Sequence, residues 1–292
     1  MKICLLGGGS CIAPVASTIC RLNLFSEVVW VDDKRVPLRD MLQDLKQAAA
    51  IGGADTELRV TRDWSALADA QIVILLPHAS HPIQAQRRAN TLLAQHFARH
   101  IKRHAPRARV VVAMSSACLL AFYVYRELEA EASQVVGLAG GIGCAYLKTA
   151  IAHQLSVSVQ DVTVLAIGND ETIYPLPQYC RVNGIPLGEL LGESQINVLM
   201  DAVQDTHKKS SAIDAPYTLA TWISQIVTSI TLDKKRIMCV SSLIQSSAAQ
   251  VFLNVPTQIG QDGAESVLQL DLTGVQREQF TQLVTKSVKE QR

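Results

Sequence analysis

Continuous apolar runs of strand length alternate with amphipathic segments along the first half of the chain. The runs include KICLLGG, EVVWVDD, QIVILLPH and ARVVVAMSS, and segments such as SCIAPVASTICRLN between them have apolar residues at helical spacing. Strands without polar alternation are buried on both faces, so this order predicts a parallel sheet covered by helices on both sides. With right-handed crossovers the result is an α/β, Rossmann-type doubly wound sheet, whose ligands bind at the carboxyl ends of the strands.

The pattern changes in the second half, where helices are mixed with two antiparallel-looking strands, RIMCVSSLI and QVFLNVPTQIG, and an amphipathic helix closes the chain. The segment LAIGNDETIYPLP (165–177) has the pattern of one buried strand that ends in a polar turn before two prolines. We therefore predict two closely packed domains. A dinucleotide-binding domain spans 1–136, and a C-terminal α+β substrate-type domain spans 137–292.

Composition and charge exclude several classes of partner. Hydrophobic residues make up 48% of the chain and the net charge is +1, so neither nucleic acid nor a membrane surface is expected as a partner. No apolar run reaches the ~18 residues that span a bilayer, and the first strand begins too early for a signal peptide. The seven cysteines form no CxxC pair, which favours buried, reduced thiols in a cytoplasmic protein without a bound metal.

A glycine-rich turn, GGGSC (7–11), joins the first strand to the first helix. Gly7 and Gly9 stand where a dinucleotide fold needs a tight turn and a close backbone approach to pyrophosphate. Ser10 and Cys11 open the helix, whose first N–H groups and partial positive charge favour phosphate oxygens. The turn therefore predicts a binding site for a dinucleotide.

Asp32 ends the second strand, 23 residues after Gly9. A carboxylate there accepts the adenosine ribose hydroxyls of NAD and repels the 2′-phosphate of NADP. Ile12 occupies the third small position of the glycine fingerprint, where helix and strand normally approach most closely. The predicted cofactor is therefore NAD with weakened binding, and a plain turn without a ligand stays open.

Several segments, in the same order, resemble the lactate/malate dehydrogenase family, most closely the malate dehydrogenases of lactate-dehydrogenase type. The most specific are LSVSVQDV, YPLPQYCRVNGIPLGELL (174–191), LDKKRIM (232–238), NVPTQIGQDG (254–263) and LQLDLT (268–273). The resemblance covers essentially the whole chain. It implies an NAD-dependent enzyme that reduces a 2-oxo acid, a histidine that donates the proton, an aspartate that orients it, arginines that bind the substrate carboxylate, and a homodimer or homotetramer.

Three of the positions that carry this chemistry hold other residues. Asn169, within IGNDET, stands at the position of the histidine. Gly143 stands at the position of the aspartate and Tyr146 at that of the carboxylate-binding arginine, both within GIGCAYLKT. The resemblance thus makes Asn169 and Tyr146 substrate-pocket residues without the family's catalytic groups.

The family's mobile loop is also altered. In PIQAQRRANTLL, Ile83 and Ala89 stand at its two arginines, and a shift of one residue would place Arg88 at the second. Ser115, in AMSSAC, stands at the asparagine that contacts nicotinamide, which further weakens the predicted NAD site. Ser211 still matches the small hydroxyl residue of the substrate pocket.

These losses compound. General acid–base catalysis contributes about 10²–10⁴-fold, and the amide of Asn169 does not titrate near pH 7. An arginine forms a bidentate, charge-assisted pair with a carboxylate, whereas Tyr146 offers one neutral donor. Turnover of malate or lactate should therefore be close to absent.

Other side chains near the expected cleft could supply new chemistry, although a simpler role suits each. His78 and His81, in PHASHP, have the pattern of polar loop residues. Asp170 and Glu171 are neighbours on an extended segment and should point to opposite sides, which disfavours a shared-proton pair. Cys144 has no histidine placed beside it, so an inert thiol is expected.

Two functions follow as hypotheses. The preferred one is a pseudoenzyme that keeps the fold and NAD(H) binding and acts in binding, regulation or assembly, as a homo-oligomer or with an active paralogue. Its small-molecule ligand is not identified by the sequence. The alternative is an NAD-dependent oxidoreductase acting on a substrate without a carboxylate, with a proton from water, Tyr146 or a loop histidine. An ordinary malate dehydrogenase would require a different alignment at several separate segments.

Overall fold

The computed structural model describes residues 1–31, 38–77, 83–210, 215–245 and 250–291. Four of the residues singled out by sequence lie outside this description, namely Asp32, His78, His81 and Ser211.

Strands and helices alternate through the first half of the chain, as the hydrophobic pattern predicts. They are β1 (Lys2–Leu6), α1 (Ile12–Arg21), β2 (Glu27–Val31), α2 (Leu38–Ile51), β3 (Glu57–Thr61), β4 (Ile72–Leu75), α3 (Ile83–His104), β5 (Arg109–Val112), α4 (Ala117–Leu128) and β6 (Val135–Gly137). The strands pair in parallel in the order β3-β2-β1-β4-β5-β6. The predicted doubly wound sheet is confirmed, and its strand order reverses between β1 and β4, where such sheets bind ligands.

Alternate residues of β1 explain why its sequence is apolar throughout. Ile3 and Leu5 pack into a cluster with residues of α1, including Val15 and Ile19. Cys4 and Leu6 lie on the other face of the sheet, in a cluster with residues of α3 and α4. A strand covered on both faces in this way has no exposed position that would favour a polar residue.

The second half has more numerous and shorter elements. They are α5 (Gly141–Leu155), β7 (Val162–Thr163), β8 (Ala166–Gly168), β9 (Ile173–Pro175), β10 (Arg181–Val182), β11 (Ile185–Pro186), α6 (Leu187–Leu190), α7 (Glu193–Ser210), α8 (Pro216–Thr231), β12 (Arg236–Gln245), β13 (Gln250–Gly260), β14 (Gly263–Val267) and α9 (Gly274–Glu290). As predicted, β12 and β13 pair antiparallel along their whole length.

The sheet of the first half continues into the second half. Ser241 of β12 pairs with Gly137 of β6, and Asn254 of β13 pairs with Gly168 of β8. The domain boundary expected between residues 136 and 137 falls inside β6, so the division into 1–136 and 137–292 stays a prediction.

Segment 165–177 differs from the single strand predicted by its sequence. It forms an antiparallel hairpin, in which β8 and β9 pair from Ala166↔Pro175 to Gly168↔Ile173. Residues 169–172 form the hairpin turn, because Asn169 N–H donates to the carbonyl of Thr172 (2.8 Å). The polar residues at 169–171 therefore follow the end of β8, as expected, and form the tip of a hairpin whose second strand is β9.

All seven cysteines are buried and none is in a disulfide bond, as the scattered pattern predicts. Burial raises the pKa of the Cys4 thiol to about 12 and that of Cys20 to about 11, which keeps both protonated and unreactive. Across the described ranges, no helix is both long and apolar enough to cross a membrane.

Candidate functional site

A cavity lies between the two halves of the chain, at the edge of the sheet where the strand order reverses. The lining residues are Cys11, Pro77, Ala113, Met114, Ser115, Ser116, Ala117, Leu138, Ala139, Gly140, Gly141, Ile142, Asp170, Ala215, Thr218, Leu219 and Trp222. Mostly apolar walls with a few polar groups are typical of a small-molecule site. Asp170 is the one charged side chain among the described lining residues.

The turn between β1 and α1 has the backbone that the glycine pattern predicts. Gly7 has φ +105° and Gly9 has φ +78°, conformations that strain any residue with a side chain. A β-carbon on Gly7 would overlap the carbonyl oxygen of Leu76, the residue that follows β4. The indole Nε1 of Trp30, on β2, donates to the carbonyl of Gly7 (2.7 Å), and this hydrogen bond holds the turn against the sheet.

The start of α1 has the charge that favours an anionic ligand. Gly9, Ser10 and Cys11 form a short 3₁₀ turn that leads into α1, and Cys11 lines the cavity. The first turn of α1 contains no acidic residue that would neutralise its partial positive charge. Ile12 is fully buried in the cluster that contains Leu5 and Trp30, so helix and strand accommodate its branched side chain.

These features fit the phosphates of a dinucleotide. The two glycines would let the backbone approach a phosphate closely at a helix N-terminus. The cavity extends from Cys11 to Ser115, which stands at the family's nicotinamide-contacting position in the resemblance described above. Cys11 and Ser115 thus line one cavity, and Gly7, Gly9 and Ser10 lie in the turn that leads to Cys11. Their role in binding NAD stays a prediction, and Asp32, the expected ribose ligand, lies outside the described residues.

Asn169, at the histidine position of the resemblance, is buried and serves the hairpin turn. Its Oδ1 accepts the backbone N–H groups of Glu171 (3.0 Å) and Thr172 (2.9 Å). Its Nδ2 donates to the Ser287 hydroxyl on α9 (3.2 Å). An amide suits this place because it accepts and donates hydrogen bonds at once.

Asp170 extends in a different direction, toward the first turn of α4. Its carboxylate accepts the backbone N–H groups of Cys118 (2.8 Å) and Leu119 (3.0 Å). Burial raises the pKa of Asp170 above the ordinary carboxyl value, and the two N–H donors oppose that rise. This contact was not predicted from the sequence. The first turn of α4 has no acidic residue and no side-chain cap of its own, so a carboxylate from another segment can bind its N–H groups.

Glu171 and Asp170 bind different partners, as expected, although they lie in a hairpin turn and not on an extended segment. It forms a hydrogen-bonded ion pair with Lys286 of α9, and Arg87 of α3 lies 3.9 Å from its carboxylate. Arg87 also pairs with Glu290 at the end of α9 (3.1 Å). Arg87, two residues before Ala89, is thus engaged with Glu171 and with α9.

The remaining predicted positions lie on α3 and α5. Gly143 is buried within α5 and Tyr146 is 39% exposed, and neither is among the described lining residues. Ala89 is half-buried and Arg88 is exposed on α3, while Ile83 begins that helix and its side chain is not described. The pocket roles of Tyr146 and Asn169 stay predictions.

Cys144 faces the interior, where its thiol and that of Cys239 are hydrogen-bonded. This contact and burial raise the pKa of Cys144 well above its ordinary value. The thiol is therefore protonated at neutral pH, in agreement with the inert role expected. Within the described ranges, no group of three or more His, Cys, Asp or Glu residues is arranged to hold a metal ion.

Two side chains at the cavity, Asn254 and Trp222, have buried polar atoms and were not identified from the sequence. Both amide atoms of Asn254 and the Nε1 of Trp222 lack a hydrogen-bond partner among the described residues. Asn254 packs against Gly140 and Trp222 packs against Gly141, and both glycines line the cavity. Such unsatisfied groups are typical of places where water or a ligand completes the hydrogen bonding.

The chain was compared with family models, with curated proteins and with solved structures. No family model matches it. A malate dehydrogenase from Halalkalibacterium halodurans is 25% identical over 299 residues, which cover 97% of this chain and 94% of the relative.

Two solved structures show the same fold. The malate dehydrogenase of Salinibacter ruber superposes with a TM-score of 0.89 at 24% identity, over 99% of this chain and 96% of that one. The lactate dehydrogenase of Cryptosporidium parvum, complexed with lactic acid and nicotinamide adenine dinucleotide, superposes with a TM-score of 0.90 at 20% identity and the same coverage. Together with the full-length relative, they show that the chain is similar to malate and lactate dehydrogenases over its whole length and has their fold.

Proposed function

We propose that this protein is a malate/lactate dehydrogenase-like pseudoenzyme that lacks 2-hydroxy-acid dehydrogenase activity and retains NAD(H) binding. The observation that carries the proposal is the charge of the cavity. Its described lining contains one carboxylate, Asp170, and neither a lysine, an arginine nor a histidine.

A 2-oxo acid enters such a cavity as an anion. In a partly desolvated site it needs a cation to offset the lost hydration, and a second carboxylate there repels it. Asp170 already accepts the first N–H groups of α4, so that helix N-terminus is not available to the substrate carboxylate. The cavity therefore selects against the family's substrates.

The position of the family's proton donor holds Asn169. Bound NADH would supply the hydride, but the amide of Asn169 does not release a proton near neutral pH. Its Oδ1 and Nδ2 are occupied by the turn and by Ser287. The side chain at the histidine position is thus engaged in holding the hairpin to α9.

The retained function is then binding, with a regulatory or assembly role in the cytoplasm. We propose a homodimer or homotetramer, or assembly with an active paralogue, because such roles need the fold and the cofactor site but no turnover. NAD binding is supported by Gly7 and Gly9, whose backbone and close packing suit a bound pyrophosphate.

One observation favours a second candidate, an NAD-dependent oxidoreductase acting on a different substrate. A carboxyl with a raised pKa lines the cavity, and a general base near an alcohol is what oxidation of a neutral substrate requires. Asp170 would then take the alcohol proton in place of a histidine.

A panel assay separates these functions. NAD and NADH binding is measured by fluorescence titration, and NADH oxidation or NAD reduction is measured with oxaloacetate, pyruvate, malate, lactate and a set of uncharged alcohols and ketones. Dinucleotide binding without turnover of any acid supports the proposal. Turnover of oxaloacetate or pyruvate contradicts it, and turnover confined to uncharged substrates favours the second candidate.

A further inference from the structure

The two oxidation states of NAD differ in charge at one place. The nicotinamide ring is a cation in NAD⁺ and neutral in NADH, whereas the pyrophosphate and both riboses are the same. The turn at Gly7 and Gly9 therefore contributes equally to both affinities. The ratio of the two affinities depends on the charges around the ring.

The described lining of the cavity that would hold the ring has one negative side chain and no positive one, and Arg87, which lies outside that lining, offsets part of the negative charge. Asp170 lines it together with Ser115, and the described neighbours Met114, Leu138 and Trp222 are apolar or aromatic. Apolar walls reduce the screening of Asp170 by water and so lengthen the reach of its charge.

The partners of Asp170 favour its charged form and oppose the effect of burial, which raises the pKa of this carboxyl. The backbone N–H groups of Cys118 and Leu119 each donate to one carboxylate oxygen, at 2.8 and 3.0 Å. The N-terminal end of α4 adds a partial positive charge that also favours the carboxylate. This helix end reduces the net potential in the cavity but does not cancel a full unit charge, since it amounts to about half of one.

From this arrangement we infer that Asp170 makes the protein bind NAD⁺ in preference to NADH. The inference rests on the proposed retention of NAD binding. A single charge acting across a partly desolvated cavity changes the affinity for a cation on the order of tenfold. The protein would then respond to the oxidised form of the dinucleotide.

A purely structural role for Asp170 makes a different prediction. If the carboxylate served only to bind the start of α4, its loss would weaken NAD⁺ and NADH binding by the same factor. The ratio of the two dissociation constants is therefore the quantity that separates the roles.

The test is titration calorimetry of the full chain with NAD⁺ and with NADH. Wild type is compared with Asp170→Asn, with Asp170→Ser, whose hydroxyl still accepts an N–H of α4, and with Glu171→Gln as the matched control. Glu171 is the adjacent acid, and its partners Lys286 and Arg87 lie on the outer side. Thermal unfolding without ligand verifies that each variant is folded.

We expect wild type and Glu171→Gln to bind NAD⁺ more tightly, and both Asp170 variants to lose about tenfold of that preference. An unchanged ratio in a folded Asp170 variant overturns the inference and leaves the proposed function standing. Absence of binding of either dinucleotide to wild type at millimolar concentration overturns the proposed NAD binding, and the inference with it.

Discussion

The two sides of the cavity differ in what their residues bind. On the β1–α1 side, Gly7 and Gly9 adopt conformations that would strain any other residue, and the first turn of α1 has no acid. On the hairpin side, Asn169 and Asp170 satisfy backbone N–H groups of the protein itself. A turn that only glycine can form without strain suits a close approach to a ligand. On the hairpin side, the polar groups bind the protein's own backbone, so they contribute to stability.

The strongest test of this contrast is substitution of Gly7. Gly7→Ala places a β-carbon onto the carbonyl oxygen of Leu76 in a residue with positive φ. We expect the free energy of unfolding to fall by about 3 kcal/mol and dinucleotide binding to be lost, because strain and overlap act together. Urea denaturation and fluorescence titration measure the two effects.

Gly53→Ala is the matched control for that experiment. Gly53 also has positive φ (+72°), but no heavy atom lies within 4 Å of the position its β-carbon would take. We expect a loss of about 1 kcal/mol from backbone strain alone and unchanged binding. Equal losses for the two variants would show that the turn at Gly7 is not specially constrained.

The second test is Asn169→His, which restores the family's residue at that position. An imidazole cannot accept both N–H groups of Glu171 and Thr172, so we expect a loss of about 2 kcal/mol in stability. Activity toward oxaloacetate should stay absent, because Gly143 and Tyr146 leave the imidazole unoriented and the substrate unbound.

Ser287→Ala isolates the contact of Asn169 with α9. It removes only the hydrogen bond from the Asn169 Nδ2, and we expect a loss of about 1 kcal/mol. Appreciable malate dehydrogenase activity in the Asn169→His variant would contradict the view that this side has been rebuilt for stability.

The third test uses pH. Burial raises the pKa of Asp170 in the folded protein above its value in the unfolded chain, so the folded protein binds this proton more tightly. The contribution to stability is therefore present below the ordinary carboxyl pKa near 4 and is lost as pH rises through the folded-state pKa. Wild type should gain stability relative to Asp170→Asn as pH falls from neutral toward about 4. A constant difference in unfolding free energy over that range would refute the predicted direction.

The smallest effect is expected at the ion pairs that join the hairpin to α9. Lys286 and Glu171 are both about half exposed, so Lys286→Ala should cost less than about 1 kcal/mol, and less still at high salt. Comparing unfolding in low and high salt measures this. A loss larger than that of Ser287→Ala would mean that the surface pairs, and not the buried amide, hold the hairpin.

Most of the fold was predictable because its signals are local. The apolar runs of β1 to β6 are long enough to mark buried parallel strands, and the glycines at 7 and 9 require the turn that they form. The hairpin at 165–177 was not resolved, because β8 and β9 have three residues each and show no measurable periodicity. α4 was not predicted either, since its apolar residues, buried on nearly every side, give no helical pattern.

The candidate site was predictable only in part. The replacement of the family's histidine and arginines is visible in the sequence, but the new partners are not, because they lie far away along the chain. Asp170 contacts Cys118, 52 residues earlier, and Asn169 contacts Ser287, 118 residues later. Contacts of that separation depend on the packing of α4 and α9 against the sheet, which a single sequence does not specify.

Single-turnover mixing tests the central claim most directly. Protein saturated with NADH is mixed with oxaloacetate in a stopped-flow instrument, and the fluorescence of bound NADH is followed, so that slow product release cannot hide the chemical step. The account predicts that bound NADH persists unchanged at every oxaloacetate concentration. Oxaloacetate-dependent oxidation of one NADH per site would contradict it.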